Sequence, residues 1–159
     1  MVKKRHKSKK VKSSSQKNLS NKIKEETKKE LISTLELKTK RDIAMDFAEK
    51  VVQKFSTLIK AVVLFGSTAK NTDAIGSDID IIVIVDDATI SFDQQFVLWY
   101  REELGNLVQA NPYKKELHIN TVKITTWWED LMKGDPTVVN IVRYGEALID
   151  VGGFFVPIK

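Results

Sequence analysis

The sequence predicts an α/β (α+β) domain in which helices pack on a small mixed β-sheet. Short runs rich in Val and Ile, typical of buried strands, alternate with longer segments whose apolar residues recur every three or four positions, as on one face of a helix. The order of these segments is helix, strand, strand, helix, strand, helices and a short last strand. Such an order is typical of a two-layer or three-layer domain built on one sheet.

Five segments make up the first part of this domain. The opening helix has Ile43, Phe47 and Val51 four positions apart, which gives it one apolar face. The next two segments are short and almost wholly apolar, like strands that are covered on both faces. The pair Asp86-Asp87 ends the second of them, and we expect it in a solvated loop. The predicted elements are a helix over 40–57, strands over 58–65 and 77–85, a helix over 91–109 and a strand over 116–125.

Three further elements are predicted in the C-terminal part. Thr126 and Glu129 have the spacing of a capping box, which predicts a helix that begins there. Asp135 followed by Pro136 predicts the start of another helix, because Asp caps helices well and Pro fits their first turn. Residues 147–151 form the last strand. Four aromatic residues are expected to pack in the core or at the end of the domain, namely Trp127, Trp128, Phe154 and Phe155.

Basic residues are concentrated at the N-terminus. The 159-residue chain has a formal net charge of +5, and residues 1–30 hold 12 basic and three acidic residues, which leaves 14 basic and 18 acidic residues after them. Residues 1–19 are rich in Lys and Ser and cannot bury enough apolar area to offset the backbone entropy of folding. We therefore expect residues 1–38 to be a basic disordered tail with a leading helix, and residues 39–159 to be the folded domain.

The composition excludes several classes of protein. The chain has no cysteine, which excludes disulfide scaffolds, thiolate catalysis, zinc fingers and iron–sulfur clusters. Its two histidines, His6 and His118, are too few for a histidine-rich metal site. No run approaches the roughly 18 apolar residues that span a bilayer, and the basic N-terminus lacks the apolar stretch of a secretory signal. We expect a cytoplasmic protein that makes no contact with a membrane.

Two groups of small or polar residues interrupt the apolar strands. Gly66 and Ser67 follow the first strand, and Asp78 and Asp80 begin the second. Because side chains alternate along a strand, both carboxylates lie on one face, where they repel by about 2 kcal/mol at an effective dielectric constant of about 20. A divalent cation that holds a triphosphate would remove this repulsion, and a glycine lets the backbone approach phosphate oxygens. The alternatives are an ordinary turn and a solvated sheet end.

The run LFGS at 64–67, followed by DID at 78–80, resembles the signature of nucleotidyltransferases with a DNA polymerase β-like fold. Residues 40–157 are similar to prokaryotic, especially archaeal, minimal nucleotidyltransferase proteins in strings such as IAMDFAEKV, SDIDIIVIVDD and VRYGEALIDVGGFF. The resemblance implies the nucleotidyltransferase fold. It also implies transfer of a nucleoside monophosphate from an NTP, expected to be ATP, to an acceptor hydroxyl, with pyrophosphate as the leaving group.

The resemblance further implies roles for single residues. Asp78 and Asp80 would hold two Mg²⁺ ions, and Glu116 is the candidate for a third metal-binding and catalytic carboxylate, unless it is an ordinary surface residue. His118, on the same face of the third strand, is either a strand histidine that a neighbour satisfies or a catalytic residue. The residues expected to bind the nucleotide are Gly66, Ser67, Lys70 and Ser77.

Partners are also implied by the resemblance. Proteins of this minimal kind often act with a helical HEPN-type protein, and some serve as antitoxins by attaching AMP to it. Because the chain ends at Lys159 without such a domain, we expect either a separate partner or a natural chain that continues past Lys159. Two other hypotheses stay open: a non-catalytic nucleotide-binding module of the same fold, and a protein tethered to RNA or DNA without sequence preference through residues 1–30. A solubilising tail would explain the same basic residues.

Overall fold

The fold is described from a computed structural model, which covers residue 24 and residues 39–66, 78–113 and 116–159. The predicted tail and leading helix, residues 1–38, lie outside these described residues apart from Lys24. The domain boundary expected after residue 38 stays a prediction. All elements below belong to the unit Lys38–Lys159.

The helices and strands follow one another in the predicted order, and their ends fall within a few residues of the predicted ones. The helices are α1 (Lys40–Phe55), α2 (Gln94–Gln109), α3 (Ile124–Lys133) and α4 (Pro136–Tyr144), and the strands are β1 (Ile59–Phe65), β2 (Ile79–Val85), β3 (Leu117–Lys123) and β4 (Glu146–Asp150). Short 3₁₀ turns follow α1 at Ser56–Leu58 and end the chain at Val156–Ile158.

The four strands form one mixed sheet, which confirms the predicted fold class. Their order is β3-β2-β1-β4; β1 runs antiparallel to both β2 and β4, whereas β2 and β3 are parallel. A parallel pair needs a long crossover between its strands, and α2 lies in the connection between β2 and β3.

Both faces of the sheet are covered, which explains why β2 is almost wholly apolar. On one face of the sheet, Ile81 and Val83 of β2 pack against the layer formed by α1 and α2, where Phe47 and Tyr100 are buried with them. The alternate residues of β2 pack on the opposite side, against α3, α4 and the C-terminal segment. The domain therefore has three layers, with the sheet in the middle.

The starts of two helices are set by their own side chains. Thr39 and Asp42 form a capping box at the start of α1, which places the first turn independently of any packing. At α4 the carboxylate of Asp135 accepts hydrogen bonds from the backbone N–H of Thr137 and Val138, 2.8 and 3.1 Å long. The predicted start of α4 is confirmed.

The predicted capping box of α3 is wrong. The helix begins two residues earlier, at Ile124, and the residue before it makes no side-chain cap. Instead, the carboxylate of Asp87, from the loop after β2, accepts hydrogen bonds from the backbone N–H and the hydroxyl of Thr125. A tertiary contact thus satisfies the first turn, because β3 runs directly into the helix and leaves no room for a local cap.

Asp86 does not lie in a solvated loop, so that prediction is also wrong. The residue is 3% exposed. Its carboxylate accepts hydrogen bonds from the backbone N–H of Ala88 and Thr89 and from the Thr89 hydroxyl, and it pairs with the ammonium group of Lys60 at 2.9 Å. These partners make burial of the charge possible and close the turn after β2.

The C-terminal aromatic residues pack as predicted. Trp127 and Phe155 are fully buried, with ring centroids 5.9 Å apart. Trp128 and Phe154 meet edge to face nearer the surface, 5.6 Å apart. None of the helices in the described part of the chain combines the length and the apolar character that crossing a bilayer requires.

Candidate active site

Asp78 and Asp80 stand at the start of β2 and share one face of the sheet. Ile79, between them, is fully buried in the core under α1, so the two carboxylates project to the opposite side. Both carboxylates stay partly exposed, with 42% and 32% of their side chains accessible. Solvent and ligands can therefore reach a pair of carboxylates that is attached to a core strand.

The parallel register of β3 brings two further groups to these carboxylates. Leu117 pairs with Ile79 and His118 with Asp80, and the backbone N–H of Ile79 donates to the carbonyl of Glu116 at 3.0 Å. By alternation, Glu116 and His118 lie on the same face as the two aspartates. The structure thus brings Glu116, predicted as the third carboxylate, next to the pair.

His118 lies among all three carboxylates. Its Nε2 is 3.6 Å from the Oδ2 of Asp78 and 3.6 Å from the Oε1 of Glu116, while its Nδ1 is 3.7 Å from the Oδ1 of Asp80. These separations exceed hydrogen-bond lengths. His118 therefore faces three acidic groups. The sequence had predicted either a strand histidine satisfied by one neighbour or a catalytic residue.

Gly66 connects this cluster to the end of β1. Phe65 pairs with Asp80 across the antiparallel ladder, so the next residue passes directly beside the Asp80 side chain. Gly66 has a φ of +79°, and a Cβ atom built on it would lie 2.4 Å from the Oδ2 of Asp80. Only glycine fits this position, since it tolerates the left-handed backbone and leaves space for the carboxylate.

A cavity of about 170 Å³ also borders Gly66. It lies between the end of β1 and helix α4, and its polar lining comes from α4. Sequence reasoning missed it, because its walls are about 70 positions apart in the chain and no local pattern connects them. The lining residues are Phe65, Gly66, Thr137, Asn140, Ile141, Tyr144 and Gly145.

The donor groups of the cluster suit a divalent cation. One ligand atom each of Asp78, Glu116 and His118 lies within 4.8 Å of the others, and Asp80 adjoins them. Carboxylates and imidazole are the usual oxygen and nitrogen ligands of such ions. The predicted nucleotide-binding residues Ser67, Lys70 and Ser77 lie outside the described residues, so their roles stay predictions.

The sequence also matches a known protein family. The sequence model of a family described as a nucleotidyltransferase domain matches residues 44–144, which is more than half of the chain. The chain belongs to this nucleotidyltransferase domain family. No curated protein matches it in sequence.

The solved structures that are similar to the chain include three that each align with 72% of its length. One is a candidate nucleotidyltransferase from Sulfolobus solfataricus, at 16% identity, 84% coverage of that chain and a TM-score of 0.46. The second is a toxin–antitoxin complex with AMP-PNP, at 17% identity, 79% coverage and a TM-score of 0.40. The third is a mutant of the toxin–antitoxin complex MntA-HpeT, at 19% identity, 79% coverage and a TM-score of 0.43. The family assignment depends on the sequence match over residues 44–144.

Proposed function

We propose that the protein is a nucleotidyltransferase that transfers a nucleoside monophosphate from an NTP, with ATP as the expected donor, to an acceptor hydroxyl. The observation that carries this proposal is the contact between Gly66 and the carboxylate of Asp80. At this contact, a backbone segment that phosphates can approach lies next to the face of the sheet that carries three carboxylates. A nucleoside triphosphate with its divalent cations needs both of these surfaces side by side.

Asp78, Asp80 and Glu116 would hold the cations, which we expect to be two Mg²⁺ ions. Bound cations supply charge neutralisation for the triphosphate and the leaving pyrophosphate. The chain's own part is to hold the carboxylates on a rigid core strand, because Ile79 anchors β2 between them. The absence of a side chain at Gly66 leaves the phosphate oxygens free to approach the backbone.

In the proposed reaction the acceptor oxygen forms a bond to the α-phosphorus. The bond from that phosphorus to the bridging oxygen of pyrophosphate breaks, and pyrophosphate leaves with the electron pair. The acceptor proton passes to a carboxylate, for which Glu116 is the candidate. With 73% of its side chain exposed, Glu116 is more accessible to an incoming acceptor than Asp78 or Asp80.

The cavity beside Gly66 supports a location for the nucleoside. Gly66 lines this cavity and also adjoins the carboxylate of Asp80. The side chains of Asn140 and Thr137 offer hydrogen-bonding groups to a base or ribose, and the rings of Phe65 and Tyr144 offer flat apolar surface.

Transfer of label from [α-³²P]ATP in the presence of Mg²⁺ tests the proposal. The double variant Asp78→Asn with Asp80→Asn is expected to lose transfer by about 100-fold or more, since even changes behind metal ligands reach that size. Glu102→Gln, an exposed carboxylate on α2, is the matched control and should keep full transfer. Unchanged transfer in the double variant would contradict the assignment.

The acceptor we propose to test first is a hydroxyl of a separate helical, HEPN-type protein. The resemblance of residues 40–157 to minimal nucleotidyltransferases supports this choice. Glu116→Gln separates the enzyme from a non-catalytic module. In an enzyme this variant should bind ATP yet transfer little label, whereas a wild-type protein that binds ATP and labels no acceptor would favour the module.

A further inference from the structure

His118 distinguishes this site from one built of carboxylates alone. We propose that its Nε2 is a metal ligand together with Asp78 and Glu116, and that this nitrogen gives the site a preference for Co²⁺ or Zn²⁺ over Mg²⁺. The inference rests on the proposed function only in supposing that a divalent cation binds at this face of the sheet.

The separations in the cluster match those between ligands of one ion. Two atoms that each lie about 2.0–2.2 Å from a metal are about 3 to 4 Å apart. The Nε2 of His118 is 3.6 Å from an oxygen of Asp78 and 3.6 Å from an oxygen of Glu116. Hydrogen bonds between these groups would be about 2.7–3.2 Å long. Nε2 thus stands from each of the two oxygens at the spacing of two ligands of one ion, and the three ligand atoms all lie within 4.8 Å of one another.

The second ring nitrogen is directed to Asp80. The Nδ1 of His118 faces the Oδ1 of Asp80 at 3.7 Å, and the other oxygen of this carboxylate, Oδ2, lies beside Gly66. A carboxylate on the far nitrogen of a metal-bound imidazole orients the ring and keeps the lone pair of Nε2 available for the ion. We expect this 3.7 Å pair to close to hydrogen-bond distance when the ion binds, so that Oδ1 of Asp80 positions His118 while its Oδ2 stays available to the cations on the nucleotide side.

The chemistry of the donor set decides the metal preference. Mg²⁺ is a hard ion that takes oxygen ligands and retains several waters, whereas imidazole suits the later first-row metals. A site with only carboxylates would bind Mg²⁺ through oxygens. One imidazole in place of an oxygen ligand adds affinity for the transition metals and adds little for Mg²⁺.

Nitrogen-15 NMR of the imidazole ring tests the ligand directly. The chain has two histidines, His6 and His118, so the variant His6→Gln leaves a single imidazole in the full chain. We expect Zn²⁺ to shift the Nε2 resonance of His118 more than its Nδ1 resonance, and Mg²⁺ at saturating concentration to shift both less. Ring resonances that do not respond to Zn²⁺ would overturn the proposal.

Calorimetric titration with Zn²⁺ and with Mg²⁺, without nucleotide, tests the preference. His118→Ala is expected to weaken Zn²⁺ binding about 10-fold or more and Mg²⁺ binding less than about 3-fold. Asn120→Ala is the matched control, because Asn120 is exposed on the same face of β3, two residues along, and should alter neither. Equal weakening of both metals, or of neither, would overturn the proposal.

His118→Asp replaces the imidazole nitrogen by a carboxylate oxygen, on a shorter side chain and with an added negative charge. It should retain Mg²⁺ binding and lose most of the excess affinity for Zn²⁺, and an unchanged ratio of the two affinities would contradict the inference. Melting temperatures of the metal-free variants establish that each is folded. Because these measurements use no acceptor, a protein that transfers no nucleotide can still confirm His118 as a ligand, and an active transferase can still refute it.

Discussion

The Oδ2 of Asp80 lies where a side chain on Gly66 would begin. A Cβ atom on Gly66 would come within 2.4 Å of that oxygen and 3.2 Å of the carboxylate carbon. The contact follows from the pairing of Phe65 with Asp80 in the ladder between β1 and β2. The pairing of β1 with β2 therefore sets the distance between the backbone of Gly66, which phosphates would approach, and the carboxylate of Asp80, which would bind metal.

Gly66→Ala is expected to damage both stability and metal binding. The new methyl group must displace the Asp80 carboxylate, and the left-handed backbone adds about 1–2 kcal/mol of strain for a residue with a Cβ. We expect the free energy of unfolding to fall by about 2 kcal/mol or more, and Mg²⁺ affinity to fall with it. Chemical denaturation and calorimetry measure the two effects.

Gly134→Ala is the control for backbone strain alone. Gly134 has a φ of +72°, close to that of Gly66, but an added Cβ would meet no atom within 4 Å. It should lower stability by about 1 kcal/mol and leave metal binding unchanged. Equal loss of metal affinity in both variants would show that strain, and not the contact with Asp80, is the cause.

Asp86 and Asp78 stand at opposite ends of β2, and we expect the loss of charge to lower stability at Asp86 but not at Asp78. Asp86→Asn replaces an acceptor of the Thr89 hydroxyl and of Lys60 by an amide group, so we expect a loss of about 1–3 kcal/mol in the free energy of unfolding. Asp78→Asn, in metal-free protein, removes a charge from a cluster of carboxylates and should cause no loss. Thermal unfolding at pH 7 compares the two, and a larger loss in the Asp78 variant would contradict this division of roles.

The stability that Asp86 contributes should disappear in acid. The hydrogen bond from the Thr89 side chain, assisted by Lys60, lowers the pKa of Asp86 from 3.8 to about 2 against the opposing effect of burial. Because the folded pKa lies below the unfolded one, the contribution is complete above about pH 4 and is lost as the pH falls from about 4 to about 2. The difference in unfolding free energy between wild type and Asp86→Asn should therefore shrink from pH 7 to pH 2.5. A constant difference would contradict the assignment.

Asp150 holds the C-terminal segment on the domain. Its carboxylate accepts hydrogen bonds from the backbone N–H of Phe154, Phe155 and Val156, at 2.8, 2.8 and 2.9 Å. Asp150→Ala is expected to destabilise the protein by about 1–3 kcal/mol and to release Phe155 from Trp127. Digestion by carboxypeptidase should speed up, and tryptophan emission should shift to longer wavelength. Glu102→Ala, on the exposed face of α2, should change neither, and similar behaviour of the two variants would refute the role.

Asn140→Ala tests the nucleoside location. Loss of one hydrogen bond to the base or ribose should weaken ATP binding about 2- to 10-fold, since a typical hydrogen bond contributes about 0.5–1.5 kcal/mol. Metal binding in the absence of ATP should stay unchanged, because Asn140 lines the cavity and is not one of the residues of the metal-binding cluster. Asn106→Ala, an exposed asparagine on α2, is the control. Equal ATP affinity in wild type and the Asn140 variant would exclude the cavity as the nucleoside site.

Local patterns in the sequence were sufficient to predict several helices and the face of the sheet that Asp78 and Asp80 share. Alternation along β2 placed Asp78 and Asp80 on one face, and the spacing of apolar residues predicted α1 and α2. The dipeptide Asp135-Pro136 predicted the start of α4, where the Asp135 carboxylate caps two backbone N–H groups. In each case the determinant is contained in a few neighbouring residues, since helix caps and side-chain periodicity are properties of short segments.

The remaining features depend on contacts between distant segments. The parallel register of β2 and β3 decides that His118 meets three carboxylates, and the packing of α4 beside Gly66 creates the cavity. The sequence predicted a solvated loop at Asp86 and Asp87. In the structure, Asp86 pairs with Lys60 and Asp87 accepts a hydrogen bond from the Thr125 hydroxyl. The sequence by itself determined which residues are the candidates for the chemistry. Only the tertiary structure decided which of them meet, because strand register and layer packing follow from the burial of both faces of the sheet at once.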